Sequence, residues 1–238
     1  MRGALLIAPR GSVIAGTSAA RVWGARQGTD DDPIDVHSPS PFGPVRGIRA
    51  HHGTVDPSDT TFCRGVPLTT PLRTAWDIAR RLPLLDAVPW IDAVARQRGV
   101  STAELVAYAS GRHGMRGVRT AAATFGLCDP RAESPPESVV RVHLHLGGVM
   151  VVPQYWIMRD GQFVARADLA LPELLLAIEY DGQWHADPNQ LGRDRARLRE
   201  INQAGWYVHH ITREDLRNPA RMVDEIRAVA ANLRRSRG

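Results

Sequence analysis

The stretch 166–185 (RADLALPELLLAIEYDGQWH) constrains the fold more strongly than any other part of the chain. A continuous apolar run, Leu174–Ile178, leads directly into Glu179, Tyr180 and Asp181. Such a run is typical of a strand that is covered on both faces, and therefore of a central strand in a sheet. Because side chains alternate between the two faces of a strand, Glu179 and Asp181 are predicted to project the same way.

A third carboxylate, Asp168, lies on the strand that precedes this central strand. Carboxylates held close together are costly unless a cation neutralises them. Hard oxygen ligands suit Mg²⁺ or Mn²⁺ better than zinc. The pattern therefore predicts a magnesium or manganese site with three carboxylates, those of Asp168, Glu179 and Asp181.

The order of the predicted elements gives the fold class. Residues 134–238 show the order α-β-β-β-α-β-α, with Asp160-Gly161 as a hairpin turn, which is typical of a mixed sheet flanked by helices. Residues 1–128 are predicted to form a mainly helical domain with a few short strands. We place the boundary in the turn-rich segment 128–136 (CDPRAESPP), so that the chain is an α/β protein with two domains.

Local signals in the first half predict several individual elements. A helix is expected over Thr17–Gly24 with Thr17 or Ser18 as its N-cap, and Ser101 with Glu104 forms a capping-box pattern. The adjacent pair His51-His52 has no further ligand at metal-binding spacing, so we interpret it as a polar strand end. Short strands are expected at Ile34–His37, Val45–Ala50 and Thr61–Gly65.

The composition limits the cellular setting and the partners. All 30 basic residues are arginine, and the excess of basic over acidic residues, five charges, lies entirely before Ala132. Arginine grips phosphate through paired hydrogen bonds, which suits nucleic acid, but a GC-rich genome explains an arginine-only composition equally well. No apolar run is long enough to span a membrane, and two distant cysteines do not form a disulfide framework. These features predict a cytoplasmic protein without a membrane segment.

An acidic residue also falls on the inner face of a predicted helix. Leu191, Leu198 and Ile201 form an apolar stripe, and Asp194 lies on it at i+3 and i−4 from its neighbours. An inward-facing acid needs a partner. Asp194 is expected either to pair with an arginine, such as Arg166 or Arg141, or to orient a metal-bound water or His185.

These residues together resemble a known family. The order Glu137, Asp168, Glu179-x-Asp181-Gly182, His185, Arg193-Asp194-Arg195 and Gly205-Trp206-x-Val208 is similar to that of the very-short-patch mismatch repair endonucleases, which belong to the PD-(D/E)xK nuclease superfamily. The resemblance covers about residues 134–218. It implies a restriction-endonuclease-like fold and Mg²⁺-dependent cleavage of DNA.

The resemblance also assigns roles. Asp168 matches the metal-bridging aspartate and Glu179 the acidic position of the (D/E)xK strand, whereas Asp181 stands where the superfamily usually has lysine. The remaining matches are the histidine after the glycine, the aspartate of the helix and the glutamate of the first helix, namely His185, Asp194 and Glu137. The chain contains no lysine, so no other lysine can take this role. The absence of lysine is expected to affect the rate of DNA cleavage more than metal binding.

The first half resembles a second family. The segments GTSAARVWGA, GVPLTTPLRTAWDIAR and WIDAVARQRGVSTAEL are similar to the abortive-infection type IV antitoxins of high-GC bacteria. This resemblance implies an alternative function, that of a DNA-binding antitoxin-type regulator whose nuclease fold is inactive. Its partners would then be DNA and a toxin or another defence-system protein.

Overall fold

The computed structural model describes residues 1–182 and 188–237. The chain divides into two compact units, Met1–Pro135 and Pro136–Gly238. Each unit combines a mixed sheet with helices, which confirms the α/β fold class. The division falls at the end of the segment 128–136, in which the turn-forming residues cluster.

The first unit contains a five-stranded sheet and several helices. Its strands lie in the order β3-β2-β1-β5-β4, with β1 parallel to β5 and β2 parallel to β3. The elements are α1 (Arg2–Ile7), β1 (Val13–Ile14), α2 (Gly16–Val22), β2 (Ile34–Ser38), β3 (Ile48–His52), β4 (Thr60–Cys63), β5 (Val66–Thr69), α3 (Pro71–Ala79), α4 (Leu84–Arg98), α5 (Thr102–Ser110) and α6 (Val118–Phe125).

The start of α2 differs from the prediction. The helix begins at Gly16, and its N-cap residue is Ala15, whose side chain makes no capping hydrogen bond. Instead Asp35 of β2 accepts hydrogen bonds from the backbone N–H of Thr17 at 3.1 Å and from its hydroxyl at 2.7 Å. A carboxylate from a neighbouring strand thus replaces the local cap, which no pattern within the helix reveals. The capping box of Ser101 and Glu104 is confirmed.

The second unit contains a four-stranded sheet in the order β6-β7-β8-β9. The first three strands are antiparallel neighbours, and β9 runs parallel to β8 after a helical crossover through α8. The elements are α7 (Pro135–Leu146), β6 (Val152–Arg159), β7 (Gln162–Leu171), β8 (Leu176–Asp181), α8 (Pro188–Gln203), β9 (Tyr207–Thr212) and α9 (Pro219–Arg237).

Strand β8 is covered on both faces, as its apolar run predicts. Leu176 and Ile178 belong to a buried cluster that also contains Leu144 of α7 and Ile226 of α9. Ala177 belongs to a second cluster, which includes residues of α8 and β7. The end of β8, where Glu179 and Asp181 lie, is therefore anchored by two separate parts of the core.

We expect the substitution Gly147→Ala to destabilise this unit by about 1–3 kcal/mol, because overpacking strains a dense core. A Cβ atom at Gly147, directly after α7, would lie 2.5 Å from Cγ1 of Val223 in α9. Gly192→Ala is a matched control, because a Cβ there meets nothing within 4 Å and alanine favours a helix over glycine. Denaturant unfolding of the three proteins tests this, and equal stability of Gly147→Ala and wild type would contradict it.

Within residues 1–182 and 188–237, the helices are too short or too polar to cross a membrane.

Candidate active site

The candidate site lies where strands β7 and β8 separate. Their ladder pairs Leu169 with Ile178, and the pairing in register extends from there towards Leu171 and Leu176. Beyond this point the backbone N–H of Tyr180 donates to Oδ2 of Asp168 at 3.0 Å. A side-chain carboxylate thus takes over a ladder hydrogen bond, and it holds Asp168 against the carboxyl end of β8.

Glu179 is buried and carries a salt bridge to α8. Glu179 is only 8% exposed, and Arg197 donates hydrogen bonds to its two carboxylate oxygens at 2.6 and 2.8 Å. Arg197 also donates to the backbone carbonyl of Arg166 at 3.0 Å. This two-pronged geometry is the strong form of an arginine–carboxylate pair, and it ties α8 to both β7 and β8.

A third carboxylate reaches the site from α7. Glu137 lies in the first turn of that helix and is buried, and its Oε2 accepts a hydrogen bond from Nε2 of Gln154 at 2.8 Å. Gln154 lies on β6 with a φ of +53°, a conformation that residues other than glycine rarely adopt. The irregular backbone of β6 therefore coincides with the contact that holds Glu137.

The charges of this region act on Asp168. Burial raises the pKa of Asp168 to about 6, the hydrogen bond from Tyr180 opposes this shift, and the negative charges of Glu137 and Glu179 add to it. The positive charge of Arg197 lowers the pKa and so compensates only in part. The structure therefore brings Glu179 and Glu137 each within electrostatic reach of Asp168.

Asp181 is directed to a different partner. Its Oδ2 lies 3.1 Å from Nδ1 of His210 on β9, and both side chains are about one-third exposed. His210 is opposite Glu179 in the parallel ladder, so the pair links the ends of two neighbouring strands. Asp181 is thus a further acidic group at the end of β8, with a partner of its own.

Two of the predicted site residues are not placed. His185 lies in the segment 183–187, outside the described residues. Asp194 lies in α8, but its side chain is also outside the described part, so its pairing stays a prediction. Among the side chains that are described, no group of three or more His, Cys, Asp or Glu is arranged to hold a metal ion. Asp168 and Glu179 supply the carboxylate oxygens that Mg²⁺ prefers, and they fit it by donor type.

Sequence reasoning missed the residues that balance these carboxylates. Arg197 lies three residues after Asp194 and four before Ile201, so the helical spacing that places Asp194 on the inner stripe also brings Arg197 to it. That spacing was a usable signal. The roles of Gln154 and His210 depend on a positive φ and on the register of a parallel pair, neither of which has a local pattern.

An exposed aromatic pair lies on the β6–β7 hairpin. Trp156 and Phe163 are 64% and 59% exposed, and their ring centroids are 5.8 Å apart in an edge-to-face arrangement. Arg166 is directly opposite Trp156 in the ladder. The hairpin thus presents Trp156 on β6 and Phe163 and Arg166 on β7, the strand that also carries Asp168.

Two curated relatives are similar to the chain. They are uncharacterized protein MT2308 of Mycobacterium tuberculosis strain CDC 1551 / Oshkosh and uncharacterized protein Rv2248 of strain ATCC 25618 / H37Rv. Each is 33% identical over 172 residues, which is 71% of this chain and 62% of the relative. No family model and no solved structure matches. The chain thus spans less than two thirds of the length of these curated relatives.

Proposed function

We propose that the unit Pro136–Gly238 is a metal-dependent DNA endonuclease-like module that hydrolyses phosphodiester bonds in the cytoplasm, in DNA repair or phage defence. The observation that carries this proposal is the position of Asp168 and Glu179. They lie on adjacent strands, at the point where the β7–β8 ladder ends, and Glu137 approaches from α7. Carboxylates gathered at such a point match the oxygen donors of a magnesium site.

Asp168 and Glu179 would hold Mg²⁺ or Mn²⁺, which when bound polarises a phosphate and lowers the pKa of a water molecule. Arg197 would keep Glu179 fixed through its paired hydrogen bonds, and Gln154 would do the same for Glu137. In the resemblance to repair nucleases, His185 oriented by Asp194 supplies a general base or acid, because the ordinary pKa of histidine lies near 7. That part of the proposal rests on the resemblance alone.

The aromatic pair supports DNA as the partner. Aromatic rings stack on nucleobases, and a neighbouring guanidinium can contact a phosphate. Trp156 and Phe163 are exposed beside Arg166, on the same hairpin as Asp168. A nucleic-acid strand that reaches Asp168 would thus find a stacking surface a few residues away along β7.

A second candidate function is a DNA-binding antitoxin-type regulator with an inactive nuclease fold. One observation favours it, because Arg197 engages both oxygens of Glu179 and thereby compensates this buried carboxylate without a metal. The basic excess of the first half agrees with DNA binding by a regulator. Such a protein would act with a toxin or defence-system partner.

Cleavage assays test the endonuclease proposal. With Mg²⁺ or Mn²⁺ we expect nicking or cutting of supercoiled, mismatched or single-stranded DNA, and Glu179→Gln should reduce the rate at least about 100-fold, because it removes a metal ligand. Glu173→Gln is the matched control, since Glu173 is an exposed glutamate just before β8. The absence of cleavage on all three substrates with either metal would sink the proposal.

A gel-shift experiment separates the two candidates. A regulator should bind one DNA sequence selectively in the presence of EDTA, and the affinity should fall with salt as phosphate contacts are screened. Glu179→Gln should leave that binding unchanged. Selective, metal-independent binding without any cleavage would favour the regulator.

A further inference from the structure

A cavity of about 410 Å³ with both polar and apolar walls lies in the first unit. Its polar walls come from the start of α2, from β2 and β3, and from the end of α3 and the residues that follow it. We call it the Arg49/Arg81 cavity, and its polar lining residues are Thr17, Asp35, Arg49, His51, Asp77 and Arg81.

The oxygens of Asp35, the first of the two carboxylates in this cavity, are already engaged as hydrogen-bond acceptors. Oδ2 of Asp35 accepts the two hydrogen bonds of Thr17, and Oδ1 accepts from His51 at 2.8 Å and from Arg49 at 3.3 Å. Burial opposes ionisation of Asp35, but the bonds from His51 and Thr17 outweigh it, so that the pKa of Asp35 lies below its ordinary value. Each oxygen of Asp35 therefore already accepts two hydrogen bonds.

The second carboxylate of the cavity is similarly surrounded by cations. Oδ2 of Asp77 accepts from Nε of Arg73 at 3.2 Å, and Oδ1 faces Nη2 of Arg81 at 3.4 Å, an ion pair that is too long for a good hydrogen bond. Asp77 is fully buried. Oδ1 of Asp77 accepts no hydrogen bond from the described residues, but the two arginines beside Asp77 compensate its negative charge.

The two arginines of the cavity, in contrast, have N–H groups that can donate further hydrogen bonds. A guanidinium carries five N–H groups, and Arg49 uses one of its terminal nitrogens on Asp35 while its side chain is half exposed. Nη1 of Arg81 is buried and has no hydrogen-bond acceptor among the described residues. A buried donor without an acceptor destabilises the folded protein, and an added acceptor would offset that cost.

The charge balance points the same way. The ionic network that begins at this cavity continues through Arg73 to Asp59, which also pairs with Arg112. Three arginines in this network face two carboxylates, namely Arg73, Arg81 and Arg112 against Asp59 and Asp77, while Arg49 and Asp35 form a separate pair. One positive charge remains uncompensated within the network.

We propose that the Arg49/Arg81 cavity binds a small molecule through an oxyanion, a phosphate or carboxylate group held by Arg49 and Arg81. Both arginines line the cavity, Nη1 of Arg81 is a buried donor without an acceptor among the described residues, and arginine matches the planar or forked geometry of such anions. Ligand pockets typically measure about 300–1,000 Å³, so the cavity has room for the body of a small metabolite as well as its anionic group. This site belongs to the first unit and does not depend on the endonuclease proposal.

Calorimetry on the full chain tests the site, at fixed ionic strength in a chloride buffer. The probes are inorganic phosphate, thymidine 5′-monophosphate and succinate. We expect saturable binding of the two phosphates or of the dicarboxylate, and either pattern supports the proposal while identifying the anion. Arg49→Gln should weaken binding about tenfold, because it removes one charged hydrogen bond to the anion. The side chain of Arg49 is half exposed, so we expect this variant to fold.

Arg46→Gln is the matched control, since Arg46 is an exposed arginine three residues away that does not line the cavity. It removes the same net charge and should leave the affinity unchanged. The proposal is overturned if wild type binds none of the three probes saturably. It is also overturned if Arg46→Gln weakens binding as much as Arg49→Gln, because the effect would then be one of net charge.

Discussion

The variant Asp168→Asn should be more stable than wild type in EDTA at pH 7.5, by about 1–2 kcal/mol after allowance for solvent screening. The folded pKa of Asp168, about 6, lies above that of an unfolded aspartate. The contribution of this carboxyl to the stability of the folded protein is fully present below about pH 4, and it is lost as the pH rises through 6. Asparagine resembles the protonated acid and can still accept the hydrogen bond from Tyr180.

Unfolding curves at several pH values check this. The advantage of Asp168→Asn should disappear near pH 4, and Mg²⁺ should raise the melting temperature of wild type but not of the variant. Asp160→Asn, on the exposed turn of the same hairpin, should show neither effect. If Asp168→Asn were less stable than wild type and indifferent to Mg²⁺, Asp168 would be a structural residue and the proposed metal site would be wrong.

The variant Arg197→Gln should be less stable than wild type by about 2 kcal/mol in the absence of metal. It leaves Glu179 as a buried carboxylate without its paired donor, close to Asp168 and Glu137. This loss of stability is smaller than that expected for a fully buried ion pair, because the side chain of Arg197 is 39% exposed. The double variant Arg197→Gln/Glu179→Gln should recover most of the loss.

Added Mg²⁺ makes this experiment a test of the site as well. A divalent ion between Asp168 and Glu179 would replace the missing charge, so it should raise the melting temperature of Arg197→Gln more than that of wild type. Arg199→Gln, an exposed neighbour on α8, serves as control. Equal responses of the two arginine variants to Mg²⁺ would mean that no metal binds beside Glu179.

Local patterns predicted most of the second unit. The Asp160-Gly161 turn and the apolar run before Glu179 are short-range signals, and the structure has the β6–β7 hairpin and strand β8 at these positions. Asp168 and Glu179 follow from the same signals, because adjacent strands of a hairpin or meander bring such residues together. The burial of β8 on both faces follows from its composition alone.

Contacts between distant segments were not predictable in the same way. In the first unit, the two-residue β1 and the parallel pairs β1–β5 and β2–β3 have no local pattern, so the strands did not suggest a five-stranded sheet. The contact between His51 and Asp35 depends on the parallel register of β2 and β3. This is why His51 was interpreted as a strand end, although it lines the Arg49/Arg81 cavity.

The outer strand β6 has a consequence for self-association. An edge strand offers unpaired backbone groups on which another chain can add, and β6 also carries the exposed Trp156. Pro153 removes one N–H, Gln154 adopts a positive φ, and the ladder to β7 shifts register between Ile157 and Met158. These interruptions leave no long regular edge, so the hairpin can expose aromatic rings while discouraging strand-to-strand aggregation.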